Sequence, residues 1–409
     1  MRTNRKTRRP GVLASPGPPA LLLGAVALFA ASCGRDSATR GAAEPHGVEV
    51  TDSGGLTTVV LGRVENLSAP RLEPSLLHST RRNDIRLFQV TAAVLLDGGG
   101  AALANAGTRE VLLLAADGSL NARAGGPGEG PGEFGEITAL VKAPGGFLVY
   151  DARRGRMNEF TDSGDFVTSW SFGSESRIVD LKPLARGTGG ETLAIVGEAR
   201  RFYPDGVRRD TTPLLMFPRP EGEPDTLALL PAAEWSYHAI PGDGATRQKV
   251  GFGRDVVAFG REDRAVVGET GSLDLSVYRA DGTRTRRIRG DGGGGEVGAG
   301  EASEWKEEQL AGLAGVPPEF VAIIEKVPYN DTFPAFEAAV LGPGETVWIG
   351  LHARPGGETR AWLAIGPDGQ PNGRTDLPAG ARVLAVGADR FAVVQRDELD
   401  VEDFRVYAY

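Results

Sequence analysis

Glu136, Asp180, Asp255 and Glu337 each stand at or just before the start of a short apolar run. Gathered around one opening, with amide side chains such as Asn105 and Asn330 beside them, such acids would make a donor set for a hard cation. Calcium takes six to eight oxygens. Held apart, the same acids would only solvate a polar mouth, with Arg177 and Arg254 near enough in sequence to neutralise some of them. Imidazole chemistry has less to work with: His46, His78, His238 and His352 are solitary, and no H-x-H or H-x-x-x-H spacing occurs. No G-x-S-x-G elbow and no EF-hand loop is present either. No catalytic residue, resident metal or cofactor is therefore expected.

Two glycine-rich segments imitate phosphate-binding loops. Gly130-Pro131-Gly132-Glu133-Phe134-Gly135 satisfies G-x-G-x-x-G letter for letter. A dinucleotide site needs a strand before that pattern and a helix after it, with an approachable backbone. Here two prolines stiffen the surroundings, Glu129 and Glu133 would repel a pyrophosphate, and a strand pattern follows. Packing between structural units explains the segment better. Gly292–Gly295 lacks a following Lys-Ser/Thr pair and reads as a hinge.

The elements that must position these residues are short strands. Glycine is unusually common, at 58 of 409 residues, and it recurs between apolar runs of four to eight residues. Residues 136–172 split into four strands, broken at Pro144-Gly145-Gly146, at 151–155 and at Ser163-Gly164-Asp165. A four-stranded antiparallel unit of about 40 residues is the size of one propeller blade. The pattern recurs over 91–124, 255–289 and 336–376, with hairpins at Asp117-Gly118, Asp281-Gly282 and Asp368-Gly369, and more loosely over 178–230. Residues 382–409 supply three strands. Leu56–Leu61, an unclaimed strand near the start, is expected to complete that last blade and close the ring. The fold class expected is thus all-β: a six-bladed β-propeller of four-stranded antiparallel blades.

The N-terminus carries a different message. Arg2, Arg5, Lys6, Arg8 and Arg9 precede the apolar run of residues 20–31, too short to span a bilayer and suited to a signal peptide. Ala31-Ser32-Cys33-Gly34 follows directly and resembles the bacterial lipobox, in which the cysteine is acylated and becomes the new N-terminus. Cys33 is the sole cysteine, and acylation explains an unpaired thiol in an exported chain. The alternative is an ordinary cleavage site among the same small residues. Losing residues 1–33 takes the formal net charge from −9 to about −14. Such a surface repels phosphate backbones, so no nucleic-acid partner is expected. Residues 34–55 read as a flexible tether and 56–409 as the propeller. The expected location is the cell envelope, at the outer membrane or the periplasmic face, with the membrane as a partner through the lipid anchor.

Residues 291–334 interrupt the β pattern just before the fifth blade. Trp305, Leu310 and Leu313 have helical spacing, and Pro317-Pro318 suits the start of a second helix. Two short helices on a propeller face are either decoration or a lid over the channel mouth, with Trp305, Phe320 and Tyr329 as its contacts.

Gly125–Ile137, residues 147–167 and the closing residues 396–409 resemble the six-bladed propellers related to NHL-repeat and TolB-like proteins, common as envelope lipoproteins. The likeness spans most of 56–409, and its most specific element is Gly130–Phe134. It implies a fold more than an activity. Two functions remain open: a membrane-tethered binding or scaffolding module for an unidentified small molecule or protein, or a calcium-dependent lactonase or esterase with its metal in the channel. What separates them is whether Glu136, Asp180, Asp255 and Glu337 converge on one coordination sphere.

Overall fold

The computed structural model describes residues 47–172, 180–197, 203, 205–219, 222–240, 244–290, 294–311, 313 and 315–409. Cys33, His46 and Arg177 lie outside the described residues. The hairpin of β1 (Val48–Ser53) and β2 (Leu56–Leu61) comes first, and β3 (Ser75–Ser79) follows. The first blade is β4 (Val90–Leu95), β5 (Ala101–Asn105), β6 (Glu110–Leu114) and β7 (Leu120–Ala124). The second is β8 (Ile137–Ala143), β9 (Gly146–Asp151), β10 (Arg156–Thr161) and β11 (Phe166–Ser171). The third has five strands: β12 (Leu181–Arg186), β13 (Thr192–Val196), β14 (Gly206–Phe217), β15 (Asp225–Ile240) and β16 (Gly244–Lys249). The fourth is β17 (Val256–Arg261), β18 (Arg264–Glu269), β19 (Asp274–Arg279) and β20 (Arg284–Gly290). Helices α1 (Ala299–Ala311) and α2 (Pro318–Glu325) precede the fifth: β21 (Ala338–Leu341), β22 (Val347–Gly350), β23 (Thr359–Ile365) and β24 (Pro371–Pro378). The last sheet is β25 (Arg382–Val386), β26 (Arg390–Arg396) and β27 (Glu402–Ala408), completed by β3.

The first strand of each sheet touches the first strand of the next: β4 meets β8, β8 meets β12, β12 meets β17, β17 meets β21, β21 meets β25, and β25 returns to β4. A cycle of antiparallel sheets joined along their first strands is a β-propeller, and those strands wall its channel. The core lies between blades. Ala102, Val111 and Leu113 of the first blade pack on Phe147, Val149 and Phe160 of the second, all buried. Phe134 closes the same seam from the Gly-Pro-Gly-Glu-Phe loop, fully buried and 5.9 Å from the Phe160 ring. Arg156 holds that loop by donating to the carbonyls of Gly130 and Glu133, each at 2.7 Å. This segment is an inter-blade plug, as its prolines and glutamates suggested.

The outer hairpins share one turn chemistry. Asp117, Asp281 and Asp368 accept the backbone N–H two residues ahead, at 2.9, 2.9 and 3.1 Å. The glycine after each aspartate has φ of +80°, +86° or +81°, the left-handed conformation that closes such a turn and offsets the strands by one residue.

Three expectations need correction. Ring closure is made by β3, which pairs antiparallel with β27, and not by Leu56–Leu61. Strand β2 instead runs parallel to β20 on the outer edge of the fourth blade, with Val59 and Leu61 fully buried against the fourth and fifth blades. Residues 48–53, assigned to the tether, form β1 beside β2. The third blade also runs further than residue 230. After Pro231 the register between β14 and β15 breaks, and the strand continues past the buried Ala232 and Ala233 to pair with β16.

Candidate functional site: the central channel and its canopy

The first strands of all six sheets surround a cavity of about 810 Å³. Much of its wall is built from small apolar side chains such as Ala93, Ala139, Val257 and Ala339, which lets six strands converge on one axis. One approach is especially close: a Cβ on Gly260 of β17 would lie 1.6 Å from the carbonyl oxygen of Leu184 on β12.

Asp180, Asp255 and Glu337 line this cavity, and Glu136 does not. The Glu136 N–H instead donates to Oδ1 of the fully buried Asp151 at 3.0 Å, fixing the entry to β8. Asp255 is engaged by Lys249 Nζ at 2.5 Å and by the Val256 N–H at 2.8 Å. Glu337 is paired with Arg360 and lies 2.5 Å from His352 Nδ1. Burial alone would push the Glu337 carboxyl up, but His352 and Arg360 outweigh it and hold the pKa below its ordinary value. Asp180 sits in a left-handed backbone conformation, φ +58°, immediately before β12. Among the described residues, no group of three or more His, Cys, Asp and Glu side chains is arranged to hold a metal. The amides are committed elsewhere too. Asn105 accepts from the Phe88 N–H and donates to Thr108, and Asn330 donates to Glu234. The histidines lie on separate elements, His78 on β3, His238 on β15 and His352 just after β22.

A canopy stands over one end of the channel. The β14–β16 extension brings Trp235, Arg247 and Lys249 to the channel wall, with Arg247 stacked 4.1 Å from the Trp235 ring centroid. The helical insertion supplies the rest. Beneath it a second cavity of about 670 Å³ shares Lys249, Asp255 and Glu337 with the channel and is lined by Phe252, Trp305, His352 and Arg360. Of the proposed lid contacts, Trp305 lines this cavity. Tyr329 packs behind it, 6.2 Å from Trp305 and 6.4 Å from Phe252, and Phe320 lines neither cavity. The canopy is stitched to the rest: Gly251 donates to the Pro328 carbonyl at 2.9 Å, and Arg254 donates to Thr332. Lys306 of α1 donates to the carbonyls of Ile324 and Val327, satisfying the C-terminal end of α2.

The channel-lining side chains that sequence reasoning missed are cations. Lys182 on β12 and Arg382 on β25 line the channel, on the third and the last sheet of the ring. Arg382 donates to the carbonyls of Val90 and Thr91 on β4. The Lys182 side chain opens onto the lumen and forms no hydrogen bond or ion pair among the described residues. Removal of its ammonium from bulk water, and then the charge of Arg382, pull its pKa below that of an ordinary lysine. The one signal in the sequence was Lys182 itself, a charge next to Pro183 in a strand otherwise apolar toward the axis.

No protein-family model and no curated protein matches the sequence. Among solved structures, a protein of Bacteroides fragilis is 9% identical over 86% of this chain and 99% of its own, with a TM-score of 0.42. The calcium-binding protein regucalcin of Agrobacterium tumefaciens is 11% identical over 85% of this chain and 94% of its own, at 0.40. Virginiamycin B lyase of Staphylococcus aureus is 10% identical over 80% and 98%, at 0.36. The propeller assignment rests on the strand order and ring contacts above, and these scores carry no function across.

Proposed function

We propose that this chain is an exported lipoprotein of the six-bladed, NHL- or TolB-like kind, acylated at Cys33, whose propeller binds a ligand in its channel beneath the canopy. The observation that carries the binding reading is the state of the channel acids. Asp255 is neutralised by Lys249, and Glu337 by Arg360 with the His352 ring beside it, so neither is available to a cation without losing its partner. An open cavity that shares Lys249, Asp255 and Glu337 with a second one under the canopy is what a binding module needs. Calcium titration tests it against the hydrolase alternative. A site of micromolar affinity would add about 4 kcal/mol of stability near millimolar calcium. The binding reading expects an unchanged melting temperature and no turnover of lactones or esters. A calcium-dependent rise abolished by Asp180→Ala or Asp255→Ala would overturn it.

The anchoring half is tested separately. Cys33→Ser should move the protein from the membrane to the soluble fraction, and mass spectrometry of the parent should find an acylated cysteine. A parent without acyl chains, or a variant that stays on the membrane, would sink the lipoprotein assignment.

A further inference from the structure

The channel-lining charges do not balance. Lys249 is consumed by Asp255, and Glu337 is held by Arg360 and His352, groups of the neighbouring cavity. What remains facing the lumen, beside the Trp235-stacked Arg247, is the pair Lys182 and Arg382, with Asp180 at the start of β12. The surface is the reverse, since the chain as a whole is acidic, with a net charge of −9. Lys182 and Arg382 are also close enough to repel each other, and Lys182 has no anionic partner among the described residues. Two like charges lining one cavity, each partly withdrawn from bulk water, raise the energy of the empty protein. An anion between them would relieve that repulsion and supply the missing partner.

Building on the channel-binding reading, we infer that the ligand is a small molecule with an anionic group, a carboxylate or a phosphate, held between Lys182 and Arg382. The aliphatic stems of both side chains and the alanine and valine wall suit a compact ligand body, and the volume of about 810 Å³ lies within the range of small-molecule sites. Arg382 presents its guanidinium already positioned by the Val90 and Thr91 carbonyls, so less freedom is lost when it meets the ligand. Lys182 supplies the partner that is still free to form a new bond.

Inorganic phosphate and sodium succinate, each compared with sodium chloride at equal ionic strength, test this on the full-length chain by thermal unfolding. At least one should raise the melting temperature in a saturable way, by about 3 °C. Phosphate alone would identify the ligand as a phosphate, succinate alone as a carboxylate, and both as either. The rise should disappear in Lys182→Met and persist in Lys182→Arg, and the methionine variant should itself melt no lower than the parent. No rise with either anion, or a rise that survives in Lys182→Met, overturns the inference. Failure here without a calcium response leaves the channel-binding reading standing. A calcium response lost in Asp180→Ala removes that reading whatever the anions do.

Discussion

Lys182 illustrates how one side chain can work against the fold that contains it. Its pKa is lowered first by burial and then by Arg382, so the folded protein holds this proton less tightly than the unfolded chain does. Between the lowered value and the unfolded lysine value of about 10.4, the unfolded state binds more protons, and stability rises with pH. The charged groups facing Lys182 around the channel are Arg382, Arg247, Lys249, Asp255 and Glu337, with Asp180 at the start of its own strand. Lys182→Met is expected to raise the melting temperature by about 2 °C at pH 7 and to flatten the alkaline rise. Calorimetry from pH 7 to 10 measures both, and an unchanged slope in the variant would assign the proton to another group. Asp403 has the opposite sign. Burial would raise its carboxyl, but bonds from Arg405, the Arg81 N–H, Ser79 and Thr80 bring it below the ordinary value. Its contribution is therefore present above about pH 4 and is lost as the pH falls through the lowered value. Asp403→Ala would leave the partly buried Arg405 without its carboxylate, at a cost of about 3 kcal/mol, visible as a lower urea midpoint.

Individual strands were largely legible in the sequence because each announces itself locally. Apolar runs such as residues 147–150 and the Asp-Gly turns after residues 116, 280 and 367 fix strand and hairpin without distant information. What failed was pairing. Leu56–Leu61 is the more strand-like segment, yet Ser75–Ser79 holds the closing position, and no turn links either one to its partner. The canopy strand β16 escaped notice because residues 244–249, Gly-Ala-Thr-Arg-Gln-Lys, have no apolar alternation. Three of the four acids chosen from sequence do line the channel, but the cations that pair with two of them, Lys249 with Asp255 and Arg360 with Glu337, come from other strands, β16 and β23, a pairing that the sequence pattern did not reveal. Two substitutions test the element assignments. Leu61→Ala empties a fully buried site against the fourth and fifth blades and should cost about 3 kcal/mol by chemical denaturation. Gly260→Ala has no such space to lose. Its methyl would run into the Leu184 carbonyl, so the first strands of the third and fourth blades must part, and unfolding should come at clearly lower urea. Wild-type stability in either variant would mean that the corresponding contact is misplaced.

For the molecule as a whole, the ring depends on one long-range seam. Ser79 Oγ donates to Asp403 at 2.8 Å across 324 positions of sequence, Thr80 Oγ1 does so at 3.0 Å, and the Val90 N–H reaches Glu402 at 2.8 Å. All of these acceptors lie within the last eight residues. Separated by 324 positions, β3 stands unpaired until β27 has been delivered to the same compartment. For that interval the chain carries finished hairpins and an unsatisfied strand edge. A five-residue edge with a central pair of leucines is a small target for stray pairing, and a longer one, such as the hairpin bonded to the fourth blade, would be a larger one. The order of birth thus bears on where the seam can safely sit. It falls on a five-residue strand, and the ring is sealed only when β27 pairs with it.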